Sequence, residues 1–140
     1  MHENFFHNVK VYYEDTDSGG VVYYANYLKF CERARTEALF SIGFSNNIIK
    51  KKFNSLIIVR SCNIDYKKPA YLEEELTIRS FVKSITKTSL FMSQIILRGD
   101  DEIADVKIQL VFVNKDIKPV KIPEEIYLKF EPYFCDSIKI

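Results

Sequence analysis

Acidic side chains, two adjacent glycines and the start of a predicted helix occur together in residues 11–27. The sequence there is Val-Tyr-Tyr-Glu-Asp-Thr-Asp-Ser-Gly-Gly-Val-Val-Tyr-Tyr-Ala-Asn-Tyr. Gly19 and Gly20 allow a tight loop and a close approach of the backbone to a ligand. The first N–H groups of a helix have no partner within the helix. A carboxylate that faces them could act as base or nucleophile in acyl transfer while the N–H groups stabilise the oxyanion.

The same residue types also have a purely structural explanation. Asp, Ser and Gly between a strand and a helix commonly form a turn that caps the helix. Composition and spacing therefore leave both a catalytic and a structural interpretation of this loop.

A helix is predicted over residues 24–43, directly after the loop. Apolar side chains recur there every three or four residues and so lie on one face; they are Tyr27, Cys31, Ala34, Ala38 and Ile42. The opposite face carries Lys29, Arg33 and Glu37. Asn26 is the usual type of N-cap residue, although we expect the helix to begin one or two residues earlier. Gly43 is expected to end it.

Apolar and polar residues alternate along much of the remaining chain, which predicts strands. The predicted strands are a short run at Val9–Tyr13 and longer runs at Leu56–Tyr66, Leu76–Lys83, Leu90–Ile96 and Ala104–Phe112. A hairpin turn is expected at Gly99-Asp100-Asp101, and a short helix at Pro123-Glu124-Glu125. The connections are too short for crossover helices, so the sheet should be antiparallel. One helix cannot cover both faces of such a sheet, which favours a homo-oligomer.

The composition predicts one globular domain, residues 1–140, in the cytoplasm. Hydrophobic residues make up 47% of the 140 residues, which suffices for a core. The net charge of +1 gives no reason to expect a nucleic acid partner. The three cysteines are widely spaced, which suits free thiols in a reducing compartment rather than disulfides or a zinc site. We expect neither a signal peptide nor insertion into a membrane.

The segment that holds the acidic loop and the start of the predicted helix is similar to the YbgC branch of the 4-hydroxybenzoyl-CoA thioesterase family. Members combine a strand, Glu-Asp-Thr-Asp, small residues, Val-Val-Tyr, a helix and Glu-Arg-Ala-Arg-Thr-Glu, the last at residues 32–37 here. The match runs from Tyr12 to Glu37 and continues weakly to the Thr88-Ser89 hairpin. It implies an α+β hotdog fold, in which an antiparallel sheet of about five strands wraps around one long helix. It also implies homotetramers built from dimers, with active sites at subunit interfaces.

The resemblance further implies hydrolysis of acyl-CoA or acyl-carrier-protein thioesters. No metal or cofactor is needed, and CoA enters only as part of the substrate. Asp17 inherits the catalytic carboxylate, as general base or as nucleophile, and the backbone N–H of Tyr24 would polarise the thioester carbonyl. Tyr13 is a candidate for orienting the acid. Many members carry His at the position of Tyr24; because a phenol is a poor base at neutral pH, we expect Asp17 to work without a His partner.

The phosphates of CoA require basic groups. The resemblance places nucleotide contacts at the hairpin that carries Lys83, Lys87, Thr88 and Ser89. A solvated strand edge protected by lysines is the structural alternative there. The run Lys50–Lys52 is expected only to face solvent.

Two other functions are open at this point. The same fold could serve as a non-catalytic module that binds acyl-CoA or acyl-carrier protein. A strand that ends in Asp-x-Asp also resembles the Mg²⁺ site of haloacid-dehalogenase-type phosphatases, with Asp15 as nucleophile and Asp17 as acid. That fold needs a parallel sheet with crossover helices, whereas the strands predicted here are antiparallel.

Overall fold

The architecture is a five-stranded antiparallel sheet that curves around one long helix. The structure, a computed structural model, describes residues 4–134. The strands lie in the order β1-β3-β4-β5-β2. They are β1 (Phe5–Lys10), β2 (Leu56–Tyr66), β3 (Glu75–Ile85), β4 (Ser89–Arg98) and β5 (Asp101–Val113). The helices are α1 (Asn26–Ser41), α2 (Asn46–Phe53) and α3 (Glu124–Phe130), with short 3-10 turns at Tyr13–Asp15 and Glu131–Tyr133. The predicted α+β hotdog fold is confirmed.

Helix α1 packs its small-residue face on β1 and β3. All five residues predicted for this face are buried, and the three predicted for the opposite face are exposed. The core has two halves: one surrounds the first turns of α1, and the other surrounds its last turns and α3. None of the helices in the described residues is long and apolar enough to cross a membrane.

The two ends of α1 differ in how well the sequence predicts them. The expected early start is wrong: residues 24 and 25 form a turn, and the helix begins at Asn26 after Ala25 as N-cap. The predicted end is confirmed, because Gly43 adopts φ +91°. Its N–H donates to Phe40 O and that of Phe44 donates to Leu39 O, which is a Schellman motif.

Helix α2 has no counterpart in the sequence prediction. Ser45 caps it, with its hydroxyl accepting the Ile48 N–H at 3.0 Å. Ile49 is its one buried residue, so a helical period of apolar side chains is not visible in the sequence. The three lysines at residues 50–52 are exposed as expected, and they occupy the last turn, where positive charge stabilises a helix.

The first strand also differs from its prediction. β1 ends at Lys10, whereas the predicted strand ran from Val9 to Tyr13. Residues 13–15 instead form a 3-10 turn closed by the Asp15 N–H on Tyr12 O, 2.9 Å away. The Gly99 hairpin between β4 and β5 and the short helix after Pro123 are confirmed.

Because the Cys31 thiol is buried, we expect the protein to lose stability at alkaline pH. Burial raises its pKa from 9.0 to about 12, so between these values the thiol ionises in the unfolded chain but not in the folded one. Ionisation therefore stabilises the unfolded chain relative to the folded one. Loss of this one proton should lower the free energy of unfolding by about 1.4 kcal/mol for each pH unit in this range.

Urea unfolding from about pH 8 to about pH 10.5 measures this slope. Cys31→Ala should show a shallower decline than the unaltered protein. Equal slopes in the two proteins would mean that ionisation of Cys31 does not contribute.

Candidate active site

The predicted catalytic carboxylate lies on a tight turn between residues 17 and 21. The Asp17 N–H donates to Val21 O at 2.9 Å, and the Gly20 N–H donates to Asp17 O at 3.1 Å. Gly20 has φ +82°, a backbone conformation that favours glycine. The Gly19 N–H donates to Asp17 Oδ1 at 2.8 Å, and a Cβ on Gly19 would lie only 3.3 Å from that oxygen. The turn therefore fixes one carboxylate oxygen and leaves the other to solvent or substrate.

Asp17 follows the antiparallel bridge between Thr16 and Val22, and Tyr24 lies two residues beyond it. Asp17 is exposed in the single chain. The Tyr24 side chain is 61% exposed, and its ring lies 4.9 Å from that of Tyr23, centroid to centroid. Within residues 4–134 the Tyr24 N–H has no hydrogen-bond acceptor. Because this N–H lies at the head of α1, the helix dipole favours negative charge beside it.

No hydrogen bond joins Tyr13 to Asp17 among the described residues. It lies in the 3-10 turn rather than on a strand, and its side chain is 80% exposed. Within the described part of the chain its phenol makes no hydrogen bond, although its carbonyl accepts two from Thr16. Its proposed part in orienting the acid therefore stays a prediction from the family alone.

Sequence reasoning considered Asp15 only as the nucleophile of the phosphatase alternative and missed its structural role. It is only 5% exposed, and both carboxylate oxygens accept hydrogen bonds: Oδ2 from the Tyr12 N–H at 2.9 Å and Oδ1 from the Asn26 side-chain amide. Its carbonyl accepts the Tyr23 N–H at 2.9 Å. One residue thus ties the chain before the Asp17 loop to the first residues of α1. The eleven-residue spacing of Asp15 and Asn26 gives no periodic signal that could have revealed the pair.

Tyrosine rings and a pair of lysines surround a hollow of about 280 Å³ beside the head of α1. It is lined by Val22, Tyr24, Tyr27, Tyr66, Lys67, Lys68 and Pro69. The Tyr66 hydroxyl donates to Tyr24 O at 3.1 Å, and the Tyr27 hydroxyl accepts the Ala70 N–H at 3.3 Å. We call this space the tyrosine hollow.

Burial keeps the phenols of Tyr27 and Tyr66 neutral in the tyrosine hollow. Burial raises the pKa of Tyr27 and that of Tyr66, so both retain their protons in the physiological range. The hydrogen bond to Glu102 raises the pKa of Lys67, and Lys68 pairs with Asp101 at 3.3 Å. The hollow thus has an apolar and aromatic wall with cations at its margin.

The four residues predicted to contact the nucleotide do not share one cavity. Lys83 lies at a bulge of β3 beside a hollow of about 560 Å³, and Lys87 lines another of about 440 Å³ next to α3. The Ser89 side chain is buried and accepts a hydrogen bond from Gln109 at 3.1 Å, and the Thr88 carbonyl accepts the Phe112 N–H at 3.0 Å. Neither Lys83 nor Lys87 lines the tyrosine hollow.

The fold does not support the phosphatase interpretation, which needs a parallel sheet with crossover helices. The sheet is antiparallel throughout. Asp15, the nucleophile in that interpretation, is buried with both oxygens already hydrogen-bonded. Within the described residues no group of three or more His, Cys, Asp or Glu side chains is placed to hold a metal ion.

Comparisons with known proteins agree on one family. Residues 11–130 match the model of the thioesterase-like superfamily. The acyl-CoA thioesterase YbgC of Haemophilus influenzae is 37% identical over 124 residues, which cover 87% of this chain and 90% of that protein. The crystal structure of a probable thioesterase from Bartonella henselae superposes with a TM-score of 0.83 at 32% identity, covering 86% of this chain and all of that one.

A more distant structure shares the fold alone. It is a hypothetical protein from Staphylococcus aureus in complex with CoA, with a TM-score of 0.88 and 15% identity, covering 96% of this chain and 85% of that one.

The contacts of Asp15 predict that it stabilises the fold. Asp15→Ala leaves the Tyr12 N–H and the Asn26 amide without their acceptor, which should cost about 1–3 kcal/mol in the free energy of unfolding. The matched control is Asp17→Ala in the same motif, whose side chain is exposed and should cost no more than about 0.5–1 kcal/mol.

Urea denaturation of both variants compares these costs. Equal stability of the Asp15 and Asp17 variants would show that the buried hydrogen bonds of Asp15 are not needed to hold the head of α1.

Proposed function

This chain belongs to the thioesterase-like superfamily and to its YbgC acyl-CoA thioesterase family, and we propose that it hydrolyses acyl-CoA thioesters at the head of α1 with the carboxylate of Asp17. Thioester hydrolysis is the activity that the named relatives share. One structural observation supports this assignment of the site: the Tyr24 N–H, just before α1, has no acceptor among residues 4–134, while the Gly19 N–H holds one oxygen of Asp17.

The proposed chemical steps use the Asp17 carboxylate, the Tyr24 N–H and a water molecule. The thioester carbonyl oxygen accepts a hydrogen bond from the Tyr24 N–H, which stabilises the negative charge that develops on it. Asp17 either removes a proton from an attacking water or attacks the carbonyl carbon itself, giving an anhydride that water then opens. In both routes the C–S bond breaks, the CoA sulfur leaves as thiolate and takes up a proton, and the free acid is released.

The second oxygen of Asp17 is suited to either route. Gly19 holds Oδ1, so Oδ2 keeps a fixed direction relative to the loop without a second hydrogen bond from the described residues. A fixed carboxylate avoids much of the entropic cost of orienting a mobile one. Because Asp17 supplies the base or the nucleophile, this proposal needs no second base at position 24, where this chain has Tyr instead of His.

We further propose that the active enzyme is a homotetramer and that subunits complete each site. β2 is an edge strand of eleven residues, paired only with β5 in the described chain, and most of its side chains are exposed. A long unpaired edge is favourable for pairing with a second copy. The exposure of Asp17 in a single chain is consistent with a site that a neighbouring subunit closes over.

The nucleotide contacts, the cellular location and the acyl donor are proposed mainly from the resemblance to the family. Lys83, Lys87, Thr88 and Ser89 stay candidates for contacts to the CoA nucleotide, supplied across a subunit interface. Cys31 and Cys62 are free thiols, which suits a cytoplasmic location. Cys135 lies outside the described residues. Acyl-carrier protein is the alternative donor of the acyl group.

The role of Asp17 is tested by Asp17→Asn. Loss of the carboxylate should lower kcat for acyl-CoA hydrolysis by about 10²–10⁴-fold with little change in fold stability, because amide nitrogen and oxygen neither accept a proton nor attack a carbonyl effectively. Release of free CoA, followed with a thiol reagent, measures the rate.

Glu14→Gln is the matched control, since it neutralises an exposed acid of the same motif that has no proposed role. Turnover of Asp17→Asn at the rate of this control would rule out Asp17. Binding of acyl-CoA without turnover in the unaltered protein would instead favour the non-catalytic binding module.

Assembly is tested by sedimentation velocity. We expect a species of four times the 16.4 kDa chain mass at micromolar concentration. A single species of one chain mass that still hydrolyses acyl-CoA would contradict a site completed by neighbouring subunits.

A further inference from the structure

The positive charge of this chain is concentrated in three segments, residues 46–54, 86–88 and 114–134. Together they contain eight lysines and four acids, although the whole chain has a net charge of only +1. The rest of the chain is therefore net acidic. All eight lysines are exposed to solvent. We call the part of the molecule formed by these three segments the lysine end.

The lysine end lies opposite the candidate active site. The Asp17 loop follows the end of β1, which pairs with the first residue of β3. The segments of the lysine end instead lie where β3 turns into β4 and where β2 begins beside the last residue of β5. The two surfaces are thus separated by the length of the strands.

Direct contacts join the three segments of the lysine end. The Ile122 N–H donates to Lys87 O at 2.8 Å, which ties the chain before α3 to the hairpin between β3 and β4. The Lys52 ammonium lies 2.8 Å from the Glu125 carboxylate, which ties α2 to α3. Lys87 and Lys121 line the same hollow of about 440 Å³. The segments therefore form one surface rather than separate patches.

Most of this charge has no counter-ion in the chain. Of the eight lysines, only Lys52 forms an ion pair among residues 4–134. The other seven leave a surface of exposed positive groups, which attracts anions.

A turn at residues 114–118 presents an apolar side chain between Lys115 and Lys118. The Asn114 N–H donates to Lys118 O at 2.9 Å, and Asn114 Oδ1 accepts the N–H groups of Asp116 and Lys118 at 2.9 and 3.1 Å. This turn holds Ile117 at φ +61° with its side chain 56% exposed. A β-branched residue at positive φ is strained. The turn is thus fixed, and it keeps an exposed isoleucine at a position that Asn or Gly would occupy with less strain.

More apolar surface lies on α3, among the same lysines. Tyr127 and Leu128 are both exposed, and Lys129 follows them in the helix. Exposed apolar side chains beside lysines are typical of surfaces that rest in the headgroup layer of a membrane. A nucleic acid backbone would neutralise the lysines but would offer no apolar environment to Ile117.

The type of cation also favours lipid over protein. The three segments contain no arginine. Arginine is enriched and lysine depleted at protein interfaces, where a planar guanidinium makes hydrogen bonds of fixed geometry. A fluid anionic lipid surface requires positive charge but no fixed geometry, and lysines near it each add to the attraction.

We propose that the lysine end binds the surface of a membrane rich in anionic phospholipids, with the Ile117 side chain inserted among the headgroups. The attraction acts over about one Debye length, about 10 Å in 0.1 M salt, so it orients this end of the chain toward the lipid. The proposal goes beyond the proposed thioesterase activity and does not depend on it.

Co-sedimentation with vesicles tests the proposal. The unaltered protein should bind vesicles of phosphatidylglycerol and phosphatidylcholine in equal parts at about 0.1 M NaCl, and binding should fall about tenfold or more at about 0.5 M NaCl. Vesicles of phosphatidylcholine alone should not bind it. No binding to the mixed vesicles, or equal binding to both kinds, would overturn the proposal.

Lys115→Gln combined with Lys118→Gln removes the two charges that flank Ile117. Binding to the mixed vesicles should fall about thirtyfold. The matched control combines Lys10→Gln with Lys107→Gln, two lysines outside the lysine end, and changes the net charge equally. It should lower binding by no more than about threefold. Equal losses in the two double variants would show that net charge alone decides, which contradicts a defined membrane-binding end.

Ile117→Asn separates contact with lipid from stability of the fold. Because Asn adopts positive φ more readily than Ile, the variant should unfold at a higher temperature, yet it should bind the mixed vesicles about tenfold more weakly. Ile117→Leu keeps an apolar side chain of the same size and should bind like the unaltered protein. Unchanged binding by Ile117→Asn would overturn the insertion of this residue.

Activity measurements without vesicles keep the two proposals apart. The double variant of Lys115 and Lys118 should hydrolyse acyl-CoA within about twofold of the unaltered rate. A raised KM for acyl-CoA with undiminished vesicle binding would assign these lysines to the substrate nucleotide and overturn the membrane proposal, as would binding to an acidic protein or to nucleic acid but not to vesicles. Absence of hydrolysis by the unaltered protein would overturn the proposed thioesterase function alone.

Discussion

The hydrogen bonds of one buried carboxylate hold the site together. Asp15 accepts from the Tyr12 backbone and the Asn26 side chain, and its own carbonyl accepts from Tyr23. The start of α1 cannot move away from the preceding turn without leaving these groups unpaired in a buried position, which is costly. The position of the Tyr24 N–H and that of the Asp17 loop are therefore set by a residue that need not touch the substrate.

The second constraint is that one helix covers only part of a curved sheet. α1 packs on β1 and β3, so the opposite part of the concave face, toward β5 and β2, is closed less completely. The tyrosine hollow occurs on that side, and so does a cavity of about 210 Å³ lined in part by Leu39, Val59 and Leu110. β2 is an edge strand on the same side, paired only with β5 in the described residues, so the space beside α1 and an open strand edge occur together.

The regular parts of this fold were predictable from sequence because their apolar patterns repeat over long stretches of the chain. The buried face of α1 repeats over four turns, and four strands alternate over ten or more residues. α2 was not predictable, since a single buried isoleucine gives no period, and the 3-10 turn at Tyr13–Asp15 replaced a predicted strand end because the Asp15 hydrogen bonds outweigh the strand preference of two tyrosines. Within the candidate site, Asp17 and Tyr24 were predicted through a motif. The structural role of Asp15 and the positions of Tyr66, Lys67 and Lys68 were not predicted, because most of the contacts that define them join residues far apart in the chain.

β2 contains a β-bulge: Val59 pairs with Leu110 and Ser61 pairs with Gln109, so Arg60 is an extra residue. The fold is therefore sensitive to the length of the strand at this point. If Arg60 were deleted, the strand could keep its pairing with β5 only by continuing the regular alternation. Ser61, Asn63 and Asp65 keep their partners on β5 in that case, but the inward face loses the extra residue's sharp local twist. If the pairing slipped instead, those polar residues would turn toward the helix and the Tyr66 phenol would turn away from Tyr24. Natural variation in the length of this strand is therefore expected to be rarer than variation in its exposed side chains.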